Sequence, residues 1–350
     1  MPERTSGTDL LARLDAGPVI CAEGYLFELE SRGYLQAGAY VPEVLLDHPE
    51  AVEQLHREFV RCGSDVVEAF TYYAHREKLR LIGREADLEP MNRTALRLAN
   101  RVARDTGTLV AGNLCNTNVY APDDPASEAE VRAMFAEQVR WAVEEGCDFI
   151  VGETYSWLGE ALLALEAIKA AGKPAVITFA IHSEGVTRDG LSPAEACRRL
   201  EAAGADVVGL NCARGPATML PLLREVRAAV ACHVAALPVP YRTKPDQPTF
   251  QALRDPEWDP GPHGRCFPTA LDPFTCNRYE LADFARAAYD LGARYLGVCC
   301  GAAPHHIRAV AEALGRTTAA SRYSPDMSKH YALGTDASLK EANRAFAGKL

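Results

Sequence analysis

The sequence predicts an α/β fold built as a single (β/α)₈ (TIM) barrel, and three observations carry the prediction. Eight apolar segments of strand length recur along a chain of 350 residues. Amphipathic helical segments separate them. The strands are apolar along their whole length, which indicates a parallel sheet covered on its outside. Eight such units in about 300 residues suit a closed barrel better than an open doubly wound sheet. No G-x-G-x-x-G follows the first strand, so the usual nucleotide-binding fingerprint is missing.

Val19-Ile20-Cys21-Ala22-Glu23-Gly24 reads as the first strand, ending in a carboxylate and a glycine. Leu26, Phe27 and Leu29 then begin a short helix that Gly33 stops. Asp47-His48-Pro49-Glu50 reads as a helix start, with a capping aspartate and a proline in the first turn. Val52, Leu55 and Phe59 line that helix. Residues 65–71 form the second strand, with Tyr72 and Tyr73 at its end. A helix over about 91–105 leads to the strand 108–112. Ser127 to Glu130 reads as a capping box opening the next helix. Strand 148–153 ends in Glu153, and a helix around 158–171 precedes strand 174–179. Ser192-Pro193-Ala194-Glu195 is a second capping box. Strand 206–212 ends in Cys212, a helix runs from about 217 to 229, and strand 233–237 follows. The eighth strand ends in Cys299-Cys300-Gly301.

One connection breaks the rhythm. Residues 238–276 are rich in proline, with Asp246, Asp255, Asp259 and Asp272 scattered through them. A βα loop of that length on the catalytic face reads as a lid or substrate wall. Its helix, 277–291, comes only afterwards. The barrel is expected to occupy residues 1–316. Residues 317–350 read as a C-terminal extension, with a short helix near 339–346, packing on the outside or on a second subunit.

Composition narrows the function. Hydrophobic residues make up 48% of the chain, enough for a large core. A net charge of -10 with no concentrated basic stretch argues against nucleic acid or an anionic membrane as partner. The first residues mix both charge signs and hold no apolar core of a signal peptide. No run reaches ~18 consecutive apolar residues, so no membrane span is expected. Eleven cysteines are an odd number and dilute in a chain this long. Free thiols in a reducing cytoplasm are the expected state.

In a barrel of this kind chemistry collects at the C-terminal ends of the strands. Those ends carry Glu23, Thr71-Tyr72-Tyr73, Asn113 to Cys115, Glu153-Thr154-Tyr155, Cys212 and Cys299-Cys300. Three thiolates leave a tetrahedral zinc ion one open position, the mark of a catalytic site. A substrate thiol entering that position would stay deprotonated at neutral pH. Adjacent cysteines in a strand point to opposite faces. Cys299 and Cys300 therefore share an ion only where the chain turns, which Gly301 permits. On position alone Cys115, Cys266 and Cys276 compete as ligands. Glu23 and Glu153 read equally as solvated or paired carboxylates, and the tyrosines as rim packing.

Several strings carry a resemblance. They are Gly24-Tyr25 through Gly38, residues 48–59, Phe70-Thr-Tyr-Tyr-Ala74, residues 148–153, Gly209-Leu-Asn-Cys212 and residues 294–301 followed by Pro304-His305-His306-Ile307-Arg308. Together they resemble the zinc-dependent homocysteine S-methyltransferases, particularly the betaine-dependent branch, up to about residue 315. The resemblance implies a (β/α)₈ barrel with a zinc ion (Zn2+) on Cys212, Cys299 and Cys300, and homocysteine's sulfur as fourth ligand. It implies that the amino group is received near Glu23, Gly24 and Glu153. Read without gaps, the family's aspartate at the first strand end falls on Ala22, and Glu23 replaces a glycine. The family's tyrosine after the second carboxylate is here Thr154, with Tyr155 next.

The methyl donor implied is a quaternary ammonium zwitterion, which has no N–H and is recognised by aromatic faces. Tyr73 matches a family aromatic, Tyr72 replaces a phenylalanine, and Tyr40 replaces a tryptophan. The expected reaction is methyl transfer from an onium zwitterion, glycine betaine first, to homocysteine, giving methionine. Dimethylsulfoniopropionate, proline betaine and S-methylmethionine are the alternative donors. A folate or cobalamin carrier is disfavoured for want of room for further modules. A non-catalytic zinc barrel is the competing class. The resemblance also implies self-association.

Overall fold

The computed structural model describes residues 9–258, 265–323, 325–347 and 349–350. Asp259 lies outside the described residues. Eight parallel strands follow one another round a closed barrel in chain order. They are β1 (Val19–Ala22), β2 (Val66–Glu68), β3 (Leu109–Cys115), β4 (Phe149–Tyr155), β5 (Ala175–Phe179), β6 (Val207–Asn211), β7 (His233–Leu237) and β8 (Ala293–Val298). The ring closes where β1 pairs with β8, Val19 opposite Tyr295 and Ala22 opposite Val298.

Each strand is buried on both faces, for the reason its composition suggested. Alternate residues point to opposite sides of a strand. Val19, Cys21, Leu109, Phe149, Val207 and Tyr295 fill the barrel interior. Ile20, Val67, Val110, Ile150, Val208 and Leu296 pack outward against the helices. The helix Leu10–Ala16, capped by Asp9, adds Leu10 and Leu14 to the interior cluster. The sequence reading had assigned no element there.

A repeated device ties the N-terminal side of the barrel. Asp65, Asp148 and Asp206 each stand just before an even-numbered strand. Each accepts a backbone N–H from the preceding odd strand: Ile20 at 2.8 Å, Val110 at 2.7 Å and Ala175 at 2.8 Å. These bonds lock neighbouring strands in register at the face opposite the one where chemistry collects.

Three expected details differ. The helix Pro49–Cys62 has His48 at its cap position, and Asp47 instead ends the short helix Val44–Asp47. The helix expected to open at Ser127 begins at Pro125, capped by the Asp124 side chain. Proline's fixed φ suits the first helical position and starts the helix earlier. Ser127 Oγ is then free to donate to Val119 O at 3.0 Å. The second strand spans only three residues: Ala69 N–H still donates to Ala111 O at 2.9 Å, and beyond it the chain turns, Thr71 N–H donating to Ala69 O at 2.7 Å. Only half of the second expected capping box forms: Ser192 accepts from Glu195 N–H at 3.2 Å, while the Glu195 carboxylate pairs with Arg198 and Arg199. Among the described residues no helix is long and apolar enough to cross a membrane.

Candidate functional site

β6 and β8 are separated by one strand, so their ends lie roughly 10 Å apart. Two features draw their cysteines together. Cys212 and Ala213 adopt positive φ of 53° and 50°, which lifts the chain out of the sheet. The Cys212 N–H donates to Leu237 O and the Cys299 N–H to Pro238 O, both at 2.9 Å, so the end of β7 and the residue after it anchor both. After Cys299 the chain turns at Gly301, φ 90°, and Ala302 N–H donates back to Cys299 O at 2.9 Å. That turn puts Cys299 and Cys300 on one side, their sulfurs 3.9 Å apart. The Sγ atoms of Cys212, Cys299 and Cys300 all lie within 4.8 Å of one another. Three sulfurs bound tetrahedrally to zinc at ~2.3 Å would be about 3.8 Å apart, so the donor set and spacing fit one such ion. Cys115, Cys266 and Cys276 do not join this group. Thiols of Cys299 and Cys300 donate to Cys212 and hold its pKa well below the ordinary thiol range. Burial raises Cys299, and the bond to Cys212 raises Cys300.

Beside the thiols lies a cluster of three buried carboxylates: Glu23 from the end of β1, Glu68 from β2 and Glu153 from β4. Glu23 is set in place by its N–H, which donates to Val298 O at 3.1 Å. Two asparagines stitch the cluster. Asn113 Nδ2 donates to Glu68 Oε1 at 2.5 Å and to Glu153 Oε1 at 2.6 Å. Asn211 Nδ2 lies 2.7 Å from Glu153 Oε2, 2.8 Å from Thr154 Oγ1, 3.4 Å from Glu23 Oε2 and 3.8 Å from Cys299 Sγ. Burial pushes all three carboxyl pKa values up, Glu68 to about 7. Glu153 raises Glu23 further, and Glu68 raises Glu153. Among the described residues no cation pairs with these acids, and an enclosed group of that kind favours a cationic ligand.

Aromatic rings gather beside the thiols. Tyr72 lines the cleft with Cys299 and Cys300, and its ring centroid lies 4.4 Å from that of Tyr73. Tyr73 N–H donates to Cys115 Sγ at 3.2 Å, and Lys78 Nζ sits 3.9 Å from the Tyr73 centroid. Tyr40 packs on Phe27 at 5.8 Å, and Phe27 in turn meets Phe250 and Phe267 of the long β7–β8 connection. The same connection brings Tyr241 against Gly301. Asp246 is exposed, and Asp255, partly buried, accepts from the Glu257 N–H at 2.9 Å in its own loop.

Tyr40, Tyr73, Thr154 and Cys212 all have positive φ, 55°, 62°, 64° and 53°. Non-glycine residues in that region are uncommon, and they concentrate where function constrains the backbone.

One expected site residue does not join the site. Tyr155 is fully buried in the layer between barrel and helices, its ring 6.1 Å from Phe135. Simple alternation would send Tyr155 inward with Glu153. The pairing of β4 with β5 shifts between Gly152 and Tyr155, and that bulge at left-handed Thr154 turns Tyr155 outward. Thr154 itself serves the cluster, its hydroxyl donating to Glu153 Oε2 at 3.1 Å. Gly24 contributes space, as a close approach to Ala302. Glu68, Asn211 and Tyr241 were missed as site residues. The signal for Glu68 was present: an acid inside an otherwise apolar strand is buried for a reason.

A family model described as homocysteine S-methyltransferase matches residues 20–314. Betaine–homocysteine S-methyltransferase 1 of Xenopus laevis is 40% identical over 315 residues, covering 87% of this chain and 75% of that protein. An S-methylmethionine–homocysteine S-methyltransferase of Pongo abelii is 36% identical over 311 residues, covering 87% of this chain and 81% of that one. The metallated form of the homocysteine methyltransferase MmuM from Escherichia coli has a similar fold, with TM-score 0.66 and 20% identity. That match covers 85% of this chain and 97% of the other.

Proposed function

Because the chain belongs to the homocysteine S-methyltransferase family, we propose that it moves a methyl group from an onium zwitterion, glycine betaine first, to homocysteine, giving methionine. The observation that carries this reading is the meeting of three thiols with a carboxylate cluster in one buried cleft. Cys212, Cys299 and Cys300 would hold the metal, and their all-sulfur set favours zinc. Bound there, zinc supplies the positive charge that keeps a substrate thiol ionised at neutral pH.

The protein's own residues do the rest. Glu23 and Glu153 receive the amino group of homocysteine, opposite charge meeting charge. Asn211, bonded to Glu153 and close to Cys299, sets the distance between the amino end and the sulfur end of the substrate. Tyr40, Tyr72 and Tyr73 offer ring faces to the onium group. The homocysteine sulfur donates its electron pair to the methyl carbon. The carbon–nitrogen bond of the donor breaks, and its pair leaves on the amine. The amine departs neutral, so no general acid is required. Alignment of the two substrates is the main contribution of the walls.

Tyr40 in place of a larger aromatic keeps a second donor in view. The Pongo abelii relative is named for S-methylmethionine, and a sulfonium makes the same demand on ring faces. The test is methionine formation by the zinc-loaded protein from homocysteine with glycine betaine, proline betaine, dimethylsulfoniopropionate, S-methylmethionine or S-adenosylmethionine. Turnover with glycine betaine supports the reading, and turnover with another of the small zwitterions transfers it to that donor. Turnover with S-adenosylmethionine alone, or with none, refutes it.

A further inference from the structure

Glu68 has no part in the mechanism above, yet it is bound into the same cleft. It is 2% exposed. Its Oε1 accepts from Asn113 at 2.5 Å, and its Oε2 accepts from the Cys21 thiol at 3.4 Å. The second proton of the Asn113 amide goes to Glu153 Oε1 at 2.6 Å, so one amide bridges two carboxylates. Two buried acceptors are left over: Asn113 Oδ1 and Glu23 Oε1 have no partner among the described residues. Glu23, Glu68, Asn113 and Glu153 line the cleft that also holds Cys299 and Cys300.

Buried acceptors without donors are costly, and so are buried acids without a cation. The deep end of the cleft therefore calls for a compact cation that carries several protons. A primary ammonium has three N–H donors and one positive charge. A quaternary ammonium or a sulfonium has no such proton and leaves both acceptors unmet. The deep end and the aromatic wall thus select different cations.

We propose that Glu68 determines specificity for the thiol substrate: with Asn113 it completes a three-carboxylate receptor that admits thiols bearing a primary ammonium and rejects thiols that lack one. Glu68 supplies charge and holds the Asn113 amide so that its oxygen is left for the ligand. A site built around a polar group discriminates strongly against the analogue without it, because its own groups are then stranded. The proposal rests on the methyl-transfer reading for the identity of the thiol, and on the cluster's geometry for the rest.

The experiment compares homocysteine with 4-mercaptobutyrate, which lacks only the amine, on zinc-loaded wild type, Glu68→Gln and Glu68→Asp. Steady-state kinetics with glycine betaine are read beside dissociation constants from calorimetry. Wild type is expected to prefer homocysteine by on the order of a hundredfold. Glu68→Gln is expected to cut that preference about tenfold, mainly through a rise in KM for homocysteine that 4-mercaptobutyrate does not share. Glu68→Asp keeps the charge but withdraws it by one methylene, so it loses part of the preference; it also decides the matter if the Gln variant does not fold. An unchanged preference in the folded variants, or an equal loss for both thiols, overturns the proposal. Absence of methyl transfer in wild type would count against the proposed function instead, and the ratio of dissociation constants would still decide the role of Glu68.

Discussion

A Cβ placed on Gly24 would stand 2.5 Å from both the Cβ and the carbonyl oxygen of Ala302. The loops after β1 and β8 meet at that point, and only the lack of a side chain lets them. Ala302 N–H closes the turn that presents Cys299 and Cys300, so the glycine protects the geometry of the thiols from one strand away.

Gly24→Ala is accordingly expected to push the β8 turn outward. Overpacking of this kind costs about 1–3 kcal/mol. The variant should fold with a lowered melting temperature, and it should bind less than one zinc per chain after exhaustive dialysis. Wild-type zinc content and activity together would show that the contact does not position the thiols.

Cys299→Ser removes one sulfur while nearly preserving volume at a site that is 2% exposed. We expect the protein to remain folded and to lose zinc and methionine formation in parallel, from about one ion per chain in wild type. Elemental analysis and the activity assay read the two losses independently. Undiminished activity in a metal-free variant would remove the basis of the mechanism.

Tyr73→Leu deletes a ring that pairs with Tyr72 at 4.4 Å. A cation–π face contributes ~0.5–2 kcal/mol, so KM for the onium donor should rise roughly 2- to 30-fold. KM for homocysteine should stay near its wild-type value. A rise confined to homocysteine would reverse the assignment of the two walls.

His56 gives a pH signature away from the site. It is fully buried, with Nδ1 3.1 Å from the Tyr25 hydroxyl. Burial, aided by Arg57, lowers its pKa to about 3 from an ordinary 6.5. Between those values the unfolded chain takes up a proton that the folded protein does not. Its contribution therefore lowers stability as pH falls from 6.5 toward 3, and is flat above 6.5. His56→Gln removes that contribution. The gap in melting temperature between wild type and variant should be widest near pH 7 and narrow by pH 4.5. A constant gap would mean that His56 does not titrate as described.

Much of the barrel was legible because its instructions are local. Continuous apolar strands with helices between them admit few arrangements, and Ser192 before Pro193 sets a helix start within one turn of chain. Helix starts at Asp47 and Ser127 were misread where a neighbouring proline or a short preceding helix competed for the same role. Cys212, Cys299 and Cys300 stood at strand ends with Cys115, Cys266 and Cys276 as competitors, and only the family resemblance chose among them. Glu68 was read only as part of a strand. Tyr155 was assigned to the mouth, because a bulge leaves no mark in the alternation of residue types.

The amino-acid order alone determined the alternation of elements, the closed parallel sheet it implies and the presence of thiols and acids at the strand ends. The tertiary structure decided which of them share a space. Asn211 reaches toward Glu23 across a sequence separation of 188 residues, and Asn113 bridges Glu68 to Glu153. Periodicity and capping act over a few residues, whereas closure of the ring brings strand ends together through hydrogen bonds and packing between distant segments. The barrel's existence is a sum of local preferences; the chemistry of its mouth is a property of the closed ring.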